Sequence, residues 1–186
     1  MRQGIVQERL AISWVQFNKN HTGLAQQFWV NPLSCENPAH YENYIRYIAI
    51  TDRKSGKGFT HLIIDTDEAN SYNKIVGFVT LRTSSLIMTE YNSVIGRSAI
   101  EITELAIDKD YERKGFGRQL IDLALSVTDE VRQNYAGVEF LVAVADPASE
   151  AFYIRQEFEK LADYYEIPRE NWNVNCIPML LRFPEL

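Results

Sequence analysis

Six residues in the middle of the chain, Arg113-Lys114-Gly115-Phe116-Gly117-Arg118, set three cations and two glycines at the start of a periodic apolar run. The chemistry such a stretch offers is anion binding. The first turn of a helix leaves backbone N–H groups unpaired and carries the positive end of the helix dipole. Glycines at 115 and 117 omit the Cβ atoms that would hold an anion away from the backbone. Arg113, Lys114 and Arg118 add charge, and the whole suits a pyrophosphate. The third glycine of a dinucleotide-binding turn is missing, and so is the GKS or GKT of a nucleotide P-loop. Other reactive residue types are sparse. Cys35 and Cys176 stand far apart with no CxxC or HExxH spacing, so no metal is expected and both thiols read as reduced. His21, His40 and His61 are scattered without a nucleophile signature, and surface or packing roles are expected for them.

The elements that must position the glycine turn follow from periodicity. Leu10–Phe17 reads as a strand. Pro38–Thr51 has Tyr41, Tyr44, Ile45 and Ile48 at helical spacing. Phe59–Asp65 and Ile75–Ile87 are β-rich runs that suggest an antiparallel hairpin, and Ala99–Ile107 alternates as a further strand. Gly115–Val131 carries Leu120, Leu123, Ala124 and Val127 on one helical face. Val138–Ala145 reads as a buried strand. Pro147–Glu157 reads as a helix with Asp146 at its N-cap, and Ile177–Phe183 as a last strand. Loops are expected over Asp52–Gly58, Asp65–Lys74 and Asn92–Arg97, and a loop or β-excursion over Glu157–Arg169. The order describes an α/β (α+β) domain around one mixed sheet.

The chain has 186 residues, with 19 Lys and Arg against 25 Asp and Glu, a net charge of −6. That length suits one domain. An acidic balance disfavours broad nucleic-acid binding and attracts cationic partners such as amines. The opening MRQGIVQERL lacks the apolar region of a signal peptide, and no run of about 18 apolar residues occurs, so a cytoplasmic location with no membrane contact is expected. The aromatics Phe28, Trp29, Tyr41, Tyr44 and Tyr47 are expected in the core, with an acceptor pocket as the other use.

The pattern L-A-I-D-x-x-Y-x-R-K-G-F-G-R-x-L-I over residues 105–121 resembles the acetyl-CoA motif of the GNAT superfamily, Q/R-x-x-G-x-G/A after a strand ending in L-A-V. Further pieces match in order. Phe140–Ala145 resembles the next strand, Asp146–Tyr153 (DPASEAFY) the N-x-x-A-x-x-x-Y segment, Phe152–Phe158 the F-Y-x-x-x-G-F segment, and Ile177–Leu181 the closing strand. The match spans about residues 74–184. Glu112 departs from Gln or Arg, Asp146 from Asn, Ser149 from Ala, and Glu157 from Gly.

The resemblance implies the GNAT fold: a mixed, mostly antiparallel sheet of six or seven strands flanked by helices, with splayed central parallel strands. It implies one acetyltransferase domain over 1–186, with acceptor-side elements in about 1–73 and the acetyl-CoA core in about 74–184. The implied activity is N-acetylation of a primary amine, of a small molecule or of a protein or peptide, by direct attack. The implied acetyl-CoA contacts are Leu105, Ala106, Ile107, Glu112, Arg113, Lys114, Gly115, Phe116, Gly117, Arg118 and Asp146. The pantetheine arm is expected in the gap between splayed strands, where a free backbone N–H near Leu105 also steadies an oxyanion. Glu101 and Glu104 are the implied bases, and Tyr153 the implied acid toward the departing thiolate. Glutamates on a half-exposed strand also read as plain solvated residues, and a tyrosine on a helix as packing. The N-terminal helix, the G-F-V-T-L-R hairpin and the I-P-M-L-L end are also similar to GNAT toxins, which acetylate aminoacyl-tRNA and need a basic tRNA-binding face. A non-catalytic acyl-CoA-binding module is the remaining alternative. A homodimer is common among such proteins.

Overall fold

A computed structural model describes residues 11–67, 72–90, 93–161, 165–166 and 175–184. Its sheet follows the order β1 (Ile12–Gln16), β2 (Phe59–Asp67), β3 (Tyr72–Glu90), β4 (Ser93–Ile107), β5 (Phe140–Ala145), β8 (Ile177–Arg182), β6 (Glu159–Lys160). A two-residue strand, β7 (Tyr165–Glu166), pairs with Ile87 and Met88 of β3. All neighbours are antiparallel except β4 and β5, which run parallel from Ala99↔Phe140 to Ile102↔Ala143. Beyond Ile102 the register stops and the two strands part, as the resemblance implied.

Two helical layers cover the sheet. On one face lies α4 (Phe116–Asn134), which buries Phe116, Leu120, Ile121, Ala124 and Thr128 at three- and four-residue intervals. They pack on Val76, Val79, Ile100, Leu141, Ala143 and Met179. The other face carries α1 (Thr22–Ala25) and a continuous helical run made of α2 (Pro38–Asn43), a π turn over Tyr44–Ile48, and α3 (Ala49–Ser55). This run starts where Asn37 accepts the His40 N–H and Pro38 takes the first position, and it stops at Gly56 with φ +71°. Phe17, Phe28, Ile45 and Ala49 bury themselves there against Leu62, Ile64, Ile75 and Phe78.

Four local expectations change. The loop expected over Asp65–Lys74 is strand at both ends, because the β2–β3 ladder runs on from Asp65↔Lys74 to Asp67↔Tyr72. Asp52–Ser55 is helix rather than loop. Ser93–Arg97 is strand, because the β3–β4 ladder continues to Glu90↔Ser93. Residues 147–157 form only a 3₁₀ turn and the short α5 (Glu150–Ile154), after which Glu157 takes φ +67°. That left-handed position favours glycine, which is why the family motif carries one there. Leu10, at the head of the first expected strand, and most of 157–169 beyond Leu161 lie outside the described residues. No described helix is long and apolar enough to cross a membrane.

Candidate active site

The glycine turn stands where the sequence put it. Asp108 ends β4, and its carboxylate takes the Asp110 N–H at 3.1 Å. A 3₁₀ turn over Lys109–Tyr111 follows, Arg113 turns left-handed (φ 58°), and Gly115 at φ 87° caps α4. No side chain caps this helix start, and its first turn has no acid. A Cβ added at Gly115 would meet nothing within 4 Å, so the cradle is open. Arg113, Lys114 and Arg118 are exposed. Lys114 Nζ bonds Asp110 O at 2.8 Å and lies over the Tyr111 ring, and Arg118 faces Asp122 at 3.9 Å. Exposed cations around uncapped N–H groups fit a pyrophosphate. Phe116 is buried instead, in the core under α4. Gly117 has a packing reason as well: a Cβ there would sit 3.1 Å from Phe152 Cε2. The Glu112 carboxylate is engaged elsewhere, accepting Asn31 Nδ2–H at 3.0 Å and Ser34 Oγ–H at 2.5 Å.

Where β4 leaves β5, a slot of about 40 Å³ opens, walled by Ile102, Leu105, Val144, Phe152 and Tyr153 among others. On its far side β4 keeps its ladder to β3 through Leu105, Ala106 and Ile107. Their backbone is therefore paired on one side only, as a pantetheine arm requires. Ala106 points its methyl into the N-terminal core.

The slot joins a cavity of about 410 Å³; Tyr41, Thr103, Val144 and Asp146 line both. The cavity also takes in His40, Tyr44, Asp52, Lys57, Arg82, Glu101 and Glu104. Glu101 and Glu104 sit three apart, so strict alternation would send them to opposite faces. A bulge resolves this: Thr80 pairs with Glu104 and Leu81 with Ile102, leaving Thr103 as the extra residue. Glu101 is 2% exposed and held by Arg82 through two bonds of 3.0 and 3.3 Å. Glu104 receives both its bonds from His40 Nε2, at 3.0 Å each. Burial pushes the Glu104 carboxyl up, with His40 partly opposing the rise. The bond to Glu104 in turn raises the His40 imidazole. The pair as a whole grips a proton more tightly than either group in water.

His40 is a site residue that scattered spacing hid. Only Asn37-Pro38 opening a helix hinted at a fixed place for it. Tyr153 is 6% exposed and stands in the slot; burial first, and Glu104 second, lift its hydroxyl well above the ordinary tyrosine range. It therefore stays protonated. Tyr44 bonds Asp52 at 3.2 Å and is pushed up to about 12, chiefly by burial. Of the aromatics expected in the core, Phe28 and Tyr44 are buried, whereas Trp29 and Tyr47 are exposed. Asp146 caps the next turn through Ala148 N at 2.9 Å and takes the Glu36 N–H at 3.0 Å. Among the described residues no cluster of three or more metal-ligating side chains occurs.

The model of the acetyltransferase (GNAT) domain matches residues 44–160. No curated protein matches the chain. Among solved structures, the fold is similar to a bacterial toxin (17% identity, 94% of this chain and 92% of that one, TM-score 0.72). It is also similar to a tyrosine-to-phenylalanine variant of the AtaT toxin bound to the C-terminus of the antitoxin AtaR and acetyl-CoA (13%, 92% of each chain, 0.67). A third is AtaT complexed with acetyl-methionyl-tRNAfMet (14%, 90% and 93%, 0.68). With the parted strands, the uncapped glycine turn and the matched residues in one place, the chain belongs to the GNAT family and is an acyltransferase whose donor is acetyl-CoA.

Proposed function

We propose that the cavity accepts a primary amine as its ammonium ion and that Glu104, relayed by His40, removes the proton that blocks attack. Acetyl-CoA supplies the acetyl group as a thioester and leaves as the thiol. Glu104 is nearly buried and His40 half exposed, with side chains 11% and 50% accessible, so a proton taken inside has a way out to solvent. The freed amine forms the C–N bond as the C–S bond breaks. Tyr153, held protonated, donates to the departing sulfur, and the second proton that the acetylated nitrogen sheds restores its hydroxyl. Glu101 serves as a fixed partner of Arg82 on the cavity floor rather than as the base. The glycine turn holds the pyrophosphate with N–H groups of 113–118 and the charges of Arg113, Lys114 and Arg118. Residues 1–73 and 74–184 work as the two walls of one acetyltransferase domain.

The observation that carries this reading is a base pair in one cavity and a tyrosine hydroxyl in the adjoining slot, with four lining residues in common. Glu104→Gln tests it. Thiol release from acetyl-CoA with a panel of amines should fall about a hundredfold in kcat, with the KM for acetyl-CoA unchanged. Turnover within twofold of the parent would remove Glu104 from the role.

A second reading has support of its own. Likeness to AtaT extends over nine-tenths of both chains, and that protein is seen with acetyl-methionyl-tRNAfMet. In this chain Lys57 lines the cavity and is exposed, one helical end away from Lys54. A cation there suits the phosphates flanking an aminoacyl ester, whose α-amine would enter as the ammonium. Assaying aminoacyl-tRNA beside small amines and peptides decides between them. Lys57→Glu should weaken tRNA acetylation and leave small amines nearly untouched.

A further inference from the structure

We propose that Glu112 and Asp146 are positioning residues that hold segment 29–37 as a strap across the mouth of the β4–β5 gap, retaining acetyl-CoA in its slot. The proposal rests on the reading that the pantetheine arm lies in that gap. The strap is tied at both parted strands. At the end of β4, Trp29 N–H donates to Asp108 Oδ2 at 3.1 Å, and Lys109 N–H returns a bond to Trp29 O at 2.8 Å. One turn on, Asn31 and Ser34 donate to the two oxygens of Glu112. At the end of β5, Glu36 N–H donates to Asp146 Oδ2. These contacts join residues 78 to 110 positions apart, so no local turn requires them.

The two acids stand where the family pattern carries neutral or basic residues. At the edge of a pyrophosphate site a free carboxylate would repel the ligand. Here both Glu112 oxygens are taken by strap donors, and Asp146 shares its carboxylate between the strap's Glu36 N–H and the Ala148 N–H of its own turn. A segment tied at both lips of the gap bridges them through residues outside the glycine turn. Its release should therefore act on the arm of the ligand and on its rate of escape, rather than on the diphosphate contact.

The test compares two probes on the intact chain. Acetyl-CoA carries the adenosine diphosphate and the arm; ADP carries the adenosine diphosphate without the arm. Glu112→Ala should raise the Kd for acetyl-CoA about tenfold, nearly all of it in a faster dissociation rate. ADP affinity should stay within twofold. Glu112→Gln should restore the parent values. Its amide oxygen still accepts from Asn31, and its N–H₂ donates to the Ser34 hydroxyl. Equal loss of both ligands in Glu112→Ala would place Glu112 in the phosphate site and overturn the strap. So would an unchanged dissociation rate, or a Gln variant as weak as the Ala one. If Glu112→Ala fails to fold, Asn31→Ala/Ser34→Ala made in the Glu112→Gln background releases the strap without freeing a charge and must give the same split between probes. A parent chain that binds ADP but not acetyl-CoA would overturn the gap reading itself. A failed Glu104→Gln prediction, by contrast, would leave the strap intact.

Discussion

Glu104 and His40 raise each other's importance because they share one bond. His40 is lifted from 6.5 by its carboxylate neighbour, so at low pH the imidazole is charged and the exit for the acceptor's proton is blocked. The rate should rise with pH through a limb that lies above 6.5. A limb at or below that value in a kcat/KM profile would show that the pair is not the base. In the proposed reaction Tyr153 stands at the other end. With its hydroxyl held above the usual tyrosine range, no alkaline fall is expected up to about pH 10. Tyr153→Phe should lower kcat about a hundredfold with little change in acetyl-CoA binding. On the proposed reading Glu101 belongs to stability. Glu101→Ala deletes a 3%-accessible carboxylate together with its two bonds to Arg82, and the loss should be about 1–3 kcal/mol in urea unfolding.

At the scale of elements, two backbone positions set the site. Gly77 lies opposite Ile107 in the β3–β4 ladder. A Cβ there would fall 2.5 Å from Ile107 Cδ1 and 2.9 Å from the Ala106 carbonyl oxygen. The end of β4 must then move just before the glycine turn, so Gly77→Ala should cost about 1–3 kcal/mol and also weaken acetyl-CoA. Glu157 is the opposite case: a side chain held in left-handed backbone at φ 67°. Glu157→Gly should raise stability by about 0.5–1 kcal/mol, measured as a higher midpoint in denaturant. The strand β4 itself was legible from the alternation of Ala99–Ile107, and α4 from its apolar stripe. The bulge at Thr103 was not, because an extra residue has no signature in a run of β-formers. Yet that residue brings Glu101 and Glu104 into one cavity.

Across the whole molecule, the proton affinity of the site is tied to folding. His40 binds its proton more tightly folded than unfolded. Its contribution to stability is therefore complete below 6.5 and is lost as pH climbs through the raised value. His21 and His61, lowered by burial, act in the other sense. A difference measurement removes them. The gap in thermal midpoint between the parent and His40→Ala should be larger at about pH 5.5 than at about pH 9. The net charge of −6 gives no map of where charge gathers. The fold gathers acids in the cavity and leaves Arg113, Lys114, Arg118 and Lys57 exposed. Local order along the chain determined the strands, the long helix and the glycine turn, because period, glycine placement and first-turn chemistry act within a few residues. It also carried the family. What only the tertiary structure decided are the meetings of distant segments: His40 with Glu104 across 64 positions, and Asn31, Ser34 and Glu36 with Glu112 and Asp146. Such pairs follow from how two walls close over a gap between parted strands, and no spacing within either wall encodes them.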